Sequence, residues 1–146
     1  ITIGEIRLLS RKQVTPQKPF ELKELIEELI KDLNENTGAA TKFHCRVAAH
    51  LSIDEDLKLN IYRIVQEQVS NILKYAYASQ ATISINENNG TIYVSIIDNG
   101  KGFDPAIKRK GIGISNIINR IESYNGEVVI ESSPGMGCKL EIRIPY

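Results

Sequence analysis

Hydrophobic positions follow two periods along this chain, and the switches between them mark out its elements. In residues 20–36, Leu22, Leu25, Ile26, Leu29, Ile30 and Leu33 recur every three or four positions, with Lys and Glu between them. That spacing predicts an amphipathic helix, and Asn36-Thr37-Gly38 supplies its stop. Residues 41–48 alternate instead, with Phe43, Cys45 and Val47 on one face, the period of a half-buried strand. Ser52 or Asp54 then caps a long helix that runs to about Ala78. Ala81, Ile83 and Ile85 mark the next strand, and Ile92, Val94 and Ile96 its return after Asn88-Asn89-Gly90. An Asn-Gly pair there tolerates the positive φ of a tight hairpin. A further helix carries Ile114, Ile117, Ile118 and Ile121 and stops at Asn125-Gly126. Strands over 127–132 and 138–144, joined by Ser133-Pro134-Gly135-Met136-Gly137, complete the pattern.

Hairpins predominate in this order where a doubly wound fold would need crossovers. The fold class predicted is therefore α/β: a two-layer α/β sandwich whose mixed, mostly antiparallel sheet carries its helices on one face. Residues 1–13 read as one more helix through Ile3, Ile6 and Leu9, before Pro16 and Pro19 break the chain. Within 146 residues the 18 basic and 18 acidic side chains cancel. This removes the general electrostatic argument for nucleic acid or an anionic membrane as partner. No apolar run approaches the roughly 20 residues that span a bilayer. No signal peptide is visible and the first residue is Ile1, so a fragment is expected. Cys45 and Cys138 lie far apart, each on the apolar phase of a strand. Both are expected to be small buried hydrophobes, as in a reducing compartment.

Three stretches could carry chemistry. Ile97-Asp98-Asn99-Gly100-Lys101-Gly102-Phe103 puts an acid at the end of a strand and two glycines just beyond it. A carboxylate accepts hydrogen bonds and suits an exocyclic amine such as that of adenine, although Asp-Asn-Gly is also ordinary turn chemistry. In the long helix, Glu67, Asn71 and Lys74 or Tyr75 are spaced by three and four and so share a stripe. The Asn71 carbonyl could ligate a hard cation and Lys74 could neutralise phosphate, or the stripe is a solvated face. Gly111-Ile112-Gly113-Ile114 stands where a loop becomes a helix, so a phosphate could approach backbone N–H groups there. Lys108, Arg109 and Lys110 just before it form either a lid over phosphates or a charged surface loop.

In this order the three stretches resemble the asparagine box and the two glycine boxes of the Bergerat-type (GHKL) ATPases. Within that superfamily the chain looks most like the ATP-binding catalytic domain of a two-component sensor histidine kinase. The similar segments are Ile64 to Glu67 leading to Asn71-Ile72-Leu73-Lys74-Tyr75-Ala76, and Gly111 to Ile114 followed by Asn119-Arg120. Gly126, Glu131-Ser132, Gly135, Gly137 and Leu140 also fit. The short lid over 104–110 is like that of the subgroup whose regulators commonly carry a helix-turn-helix output domain. Glu5-Ile6-Arg7-Leu8-Leu9-Ser10-Arg11 looks like the end of that subgroup's second dimerisation helix. The resemblance thus implies a dimerisation-helix end and linker over residues 1–15 and the catalytic domain over 16–146.

What the resemblance implies for the site is an ATP pocket with Mg2+. Asn71 would bind magnesium and Asp98 the adenine amine, with Gly100 and Gly102 shaping the turn beside the base. Gly111 and Gly113 would approach the phosphates, and Lys74 and Tyr75 would line the nucleotide. Glu67 would be catalytic: in ATP-hydrolysing relatives the matching acid activates water, whereas in kinases it orients magnesium or assists the accepting histidine. At Cys138 the family usually has Thr, and a thiol is the poorer hydrogen-bonding group beside the base.

Phosphoryl transfer to histidine needs an accessible imidazole. His44 sits on the polar phase of a strand and His50 in a loop, and neither resembles a phosphoacceptor on a helix. The acceptor is expected upstream, on a dimerisation domain of the same protein that makes the intact molecule a homodimer, while the fragment could be monomeric. The implied activity moves the ATP γ-phosphoryl group to that histidine for relay to a response regulator. It implies a cytoplasmic domain, whether or not the intact protein is membrane-anchored. Two other readings stay open: an anti-sigma-factor-type serine kinase of the same fold, and a nucleotide-binding or interaction module without turnover.

Overall fold

The computed structural model describes residues 21–36, 38, 40–104 and 114–146. The helix expected over 1–13, the first domain boundary, and residues 105–113 with Gly111 and Gly113 lie outside the described residues. What is described is a five-stranded sheet with three α-helices.

Helix α1 (Leu22–Asn36) buries Leu22, Ile26, Leu29, Ile30 and Leu33 on the stripe predicted for it. It leads to β1 (Lys42–Val47), where the Asn34 side chain acts as a short piece of extra strand. Its Nδ2 donates to the Phe43 carbonyl and its Oδ1 accepts from the Phe43 N–H, each at 2.9 Å. Helix α2 (Glu55–Asn71) is capped by Asp54, whose Oδ1 accepts from Leu57 N at 2.8 Å. Glu55 and Asp56 add negative charge to the positive end of the helix dipole. Ser52, the other candidate cap, bonds through its N–H to Glu87 Oε1.

Strand β2 (Gln80–Asn88) pairs in parallel with β1, which requires the crossover that α2 provides. Asn89 and Gly90, at φ 50° and 76°, then form a two-residue hairpin into β3 (Thr91–Asp98). Helix α3 (Ile114–Glu122) buries Ile117 and Ile121 and is followed by the antiparallel pair β4 (Glu127–Ser132) and β5 (Cys138–Pro145). Strand order is β1-β2-β3-β5-β4, so β5 inserts beside β3, antiparallel to it. Ile83, Ile85, Val94, Ile96, Leu140 and Ile142 alternate onto the covered face, and together with the buried faces of α1, α2 and α3 they make one core. The opposite face is polar apart from partly exposed Tyr93, Ile97 and Val129.

Two details depart from the pattern read in the sequence. The long helix loses its α register at Asn71: Ile72–Ala76 is a π-helical turn, closed by Tyr77 in the left-handed region. Cys45 is only half-buried, because β1 is an edge strand with a neighbour on one side alone.

The Asn34 contact is testable. Asn34→Ala removes two backbone hydrogen bonds at the sheet edge, and urea unfolding should show a loss of about 1–3 kcal/mol. An unchanged midpoint would show that water replaces the amide without cost.

Candidate nucleotide-binding site

The site is built where β3 ends against the π-helical turn. Hydrophobic alternation along β3 carries its last residue, Asp98, onto the covered face, where it is 5% exposed. Its Oδ1 accepts from the Gly100 N–H at 2.8 Å. Burial pushes the Asp98 carboxyl above its ordinary pKa, and hydrogen bonds from the backbone N–H groups of Gly100 and Cys138 partly offset this. Cys138 is its cross-strand partner on β5. Burial, and then the nearby Asp98 charge, raise the Cys138 thiol to about 11, so it stays protonated at neutral pH.

Beyond Asp98 the chain bends through contacts that leave no room for side chains. A Cβ on Gly100 would lie 2.2 Å from the Ala76 carbonyl oxygen, and that oxygen accepts from the Lys101 N–H at 2.7 Å. Gly102 has φ +64°, and a Cβ there would lie 2.2 Å from the Ser133 carbonyl oxygen. Asn99 staples the same joint from the side. Its Oδ1 accepts from the N–H groups of Ser79 and Gln80, each at 2.9 Å, while Nδ2 donates to Ser79 Oγ at 2.8 Å.

The π-helical turn faces this joint. A wider turn holds more residues per revolution, so Tyr75 rather than Lys74 stays beneath Asn71. Asn71 and Tyr75, with Gln68, Ile72 and Ala76, form one wall of a cleft of about 430 Å3, counting its open mouth. Asp98, Lys101, Gly102, Phe103 and Cys138 form another, and Ile114 of α3 completes the lining. The result is a largely apolar slot with a carboxylate at one end and an amide on the facing helix, a shape that suits a flat heteroaromatic ring with one polar edge.

Of the residues singled out in the sequence, Asn71, Tyr75, Asp98 and Gly102 line the cleft, and Gly100 is buried against Ala76. Lys74 is exposed and is not part of the lining. Glu67 also lies outside it, with Oε1 3.4 Å from Asn116 Nδ2 on α3. His44 and His50 are exposed, and His50 Nδ1 lies 3.6 Å from Glu21 Oε1. Gln68, Lys101, Phe103 and Ile114 also line the cleft, with no site role legible for them in the sequence. The signal for Gln68 was its spacing of three, four and seven from Asn71, Ile72 and Tyr75. The other three lie inside or beside the glycine stretches already quoted.

For a cation the donor set is sparse. Among the described residues no group of three or more His, Cys, Asp or Glu converges. Asn71 offers an amide whose Nδ2 is engaged with Gln68 Oε1 at 3.1 Å, which turns its carbonyl oxygen the other way. One hard oxygen ligand from protein fits an ion that keeps waters and arrives with phosphate oxygens, as magnesium does.

This fold has counterparts in known proteins. The histidine kinase domain of the blue-light activated histidine kinase from Erythrobacter litoralis superposes with a TM-score of 0.75, over 97% of this chain and 71% of that one, at 16% identity. The histidine kinase AdeS of Acinetobacter baumannii gives 0.71, over 98% and 74%, at 16% identity. The mycobacterial sensor histidine kinase MprB gives 0.66, over 88% and 96%, at 15% identity. These likenesses establish the fold, the two-layer sandwich expected. In sequence the chain is 31% identical over 121 residues to the signal transduction histidine-protein kinase/phosphatase DegS of Brevibacillus brevis. That match takes in 82% of this chain and 31% of the relative, so the chain spans about a third of that protein's length. A family model covers residues 56–146, from the first turn of α2 through the cleft-lining residues to β5. The chain therefore belongs to the histidine kinase-, DNA gyrase B- and HSP90-like ATPase family.

Proposed function

We propose that this chain is the ATP-binding catalytic domain of a sensor histidine kinase. It presents the γ-phosphoryl group of ATP to a histidine on a dimerisation domain of the same protein. The observation that carries the reading is the buried Asp98 carboxylate at the end of an apolar slot, facing Asn71 across it. Asp98 accepts from the exocyclic amine of adenine, and a base with a carbonyl at that position meets a repulsive pair of acceptors instead. Ile72, Ala76, Phe103 and Ile114 supply the apolar surface for the ring. Asn71 would hold Mg2+, and the ion would supply neutralisation of phosphate charge. Tyr75, in the π-helical turn beneath Asn71, borders the nucleotide, and Gly111 and Gly113 approach the phosphates. Lys74 and Glu67 lie outside the lining; Lys74 would help neutralise phosphate, and Glu67 would orient magnesium or assist the accepting histidine.

Catalysis of this kind rests on positioning and charge neutralisation, so a domain that binds and orients the donor is half of the reaction. The imidazole nitrogen of the acceptor bonds to the γ-phosphorus, the bond to the β,γ-bridging oxygen breaks, ADP departs and the imidazole gives up its proton. A response regulator then receives the phosphoryl group. The kinship with DegS favours this reading over the serine kinase of similar fold. Residues 1–15 would end the dimerisation helix pair and 16–146 would form the catalytic domain, cytoplasmic in the intact homodimer. Among the described residues no helix is long and apolar enough to cross a membrane.

Thermal unfolding with nucleotides tests the donor site. At a hundredfold excess over its dissociation constant, Mg–ATP should add about 2.7 kcal/mol to the stability of the domain, and Mg–GTP far less. Asn71→Ala and Asp98→Asn should each abolish most of the ATP shift. Equal shifts with both nucleotides would remove the adenine assignment.

Asp98 also sets a pH dependence without nucleotide. Its folded pKa is raised above the unfolded value of about 3.9, so its contribution is fully present below that value and is lost as pH rises through the folded pKa. Ionised Asp98 therefore weakens the empty domain. Asp98→Asn should raise the melting temperature at neutral pH, and the gain should shrink on acidification. A lower melting temperature for the variant at neutral pH would contradict this account.

A further inference from the structure

The Gln68 side chain is 3% exposed, yet it lines the nucleotide cleft among buried Ile64, Val65, Val69 and Ile72. An apolar side chain would pack there without any polar group to satisfy. Its Oε1 accepts from Asn71 Nδ2 at 3.1 Å, and that is the one hydrogen bond that the described residues give this side chain. A primary amide has an acceptor oxygen and two N–H donors on opposite branches. With the oxygen held at Asn71, the two donors of Nε2 belong to a side chain that lines the cleft. Because Gln68, Asn71, Ile72 and Tyr75 share one helix face, those donors belong to the same wall as the Asn71 amide.

We propose that Gln68 is a further nucleotide-site residue with two roles at one amide: its oxygen sets the orientation of Asn71, and its nitrogen donates to an acceptor atom of the bound nucleotide. The first role makes it a positioning residue. A side-chain amide can rotate to present either oxygen or nitrogen, and only the oxygen can ligate a cation. By accepting from Nδ2, Gln68 selects the rotamer in which the Asn71 oxygen points away from it. The second role gives the nucleotide a hydrogen-bond donor from the wall of the cleft. The inference rests on the ATP-site reading, since it assigns Asn71 to Mg2+.

Titration calorimetry with ATP, in Mg2+ and in EDTA, separates the two. The proteins compared are the wild-type chain, Gln68→Leu, Asn71→Ala and the double variant, with Gln68→Met in place of Leu should the branched side chain disturb folding. Gln68→Leu should weaken Mg–ATP about tenfold, equivalent to about 1.4 kcal/mol. It should also shrink the affinity ratio between Mg2+ and EDTA, with the melting temperature of the empty domain unchanged or higher. In the double variant the two losses should fall short of their sum, because removal of Asn71 leaves Gln68 nothing to orient. Wild-type affinity in Gln68→Leu, an unchanged Mg2+ ratio, or fully additive losses would overturn the inference and leave the ATP site standing. Wild-type Mg–ATP affinity in Asn71→Ala would instead overturn the ATP-site reading, and this inference with it.

Discussion

A carboxylate held inside the protein is the constraint on which the site depends. Asp98 is 5% exposed, and burial works against its charge, so something must hold it in place and in use. Backbone N–H groups do so from within: Gly100 donates to Oδ1, and Cys138 contributes from the neighbouring strand. That arrangement requires the chain to double back at once after β3, which it does against Ala76, too close for any side chain at Gly100. The π-helical turn, the two glycines and the Asn99 staple can be understood together as the structure needed to bring an acid, an amide and an apolar slot into one cleft. An ionised, partly compensated Asp98 makes the empty domain less stable than it could be, and on this account the adenine amine supplies the missing donor.

The fold's large parts were legible in the sequence because each is enforced by burial on one face. The stripe from Leu22 to Leu33, the alternation from Ile92 to Ile96 and the Asn89-Gly90 hairpin all appear where periodicity and turn chemistry place them. Asp98 and Gly102 were legible for a related reason: their position at a strand end is a local property. What could not be read was anything that depends on a distant partner. Ile72 and Leu73 suit an α-helix as well as a π-turn, and the choice is associated with Ala76 meeting Lys101 twenty-five residues away in sequence. That turn keeps Tyr75 under Asn71 and leaves Lys74 at the surface, a distinction no α-helical spacing would make. Cys45 carries the pattern of a buried strand residue but sits on an edge, and strand order is a tertiary fact.

Polar side chains inside the cleft divide in the same way. Asn71 stands in a stretch that resembles a family motif, whereas Gln68 is one polar residue among several in the helix. Burial and a hydrogen bond between the two turn them into a unit. Cys138, protonated beside Asp98, offers the cleft a weak hydrogen-bonding group, so on the proposed reading base recognition would lean more heavily on Asp98 itself.

Both histidines of this chain lie on the surface and outside any helix, so the proposed transfer calls for an acceptor on a separate domain. The most direct measurement is transfer from ATP radiolabelled in the γ-phosphate, with this chain and a regulator-coupled histidine domain supplied together. The account predicts label on the histidine domain, acid-labile and base-stable, dependent on this chain and lost with Asp98→Asn. Acid-stable label on serine, or no label while ATP is demonstrably bound, would contradict it.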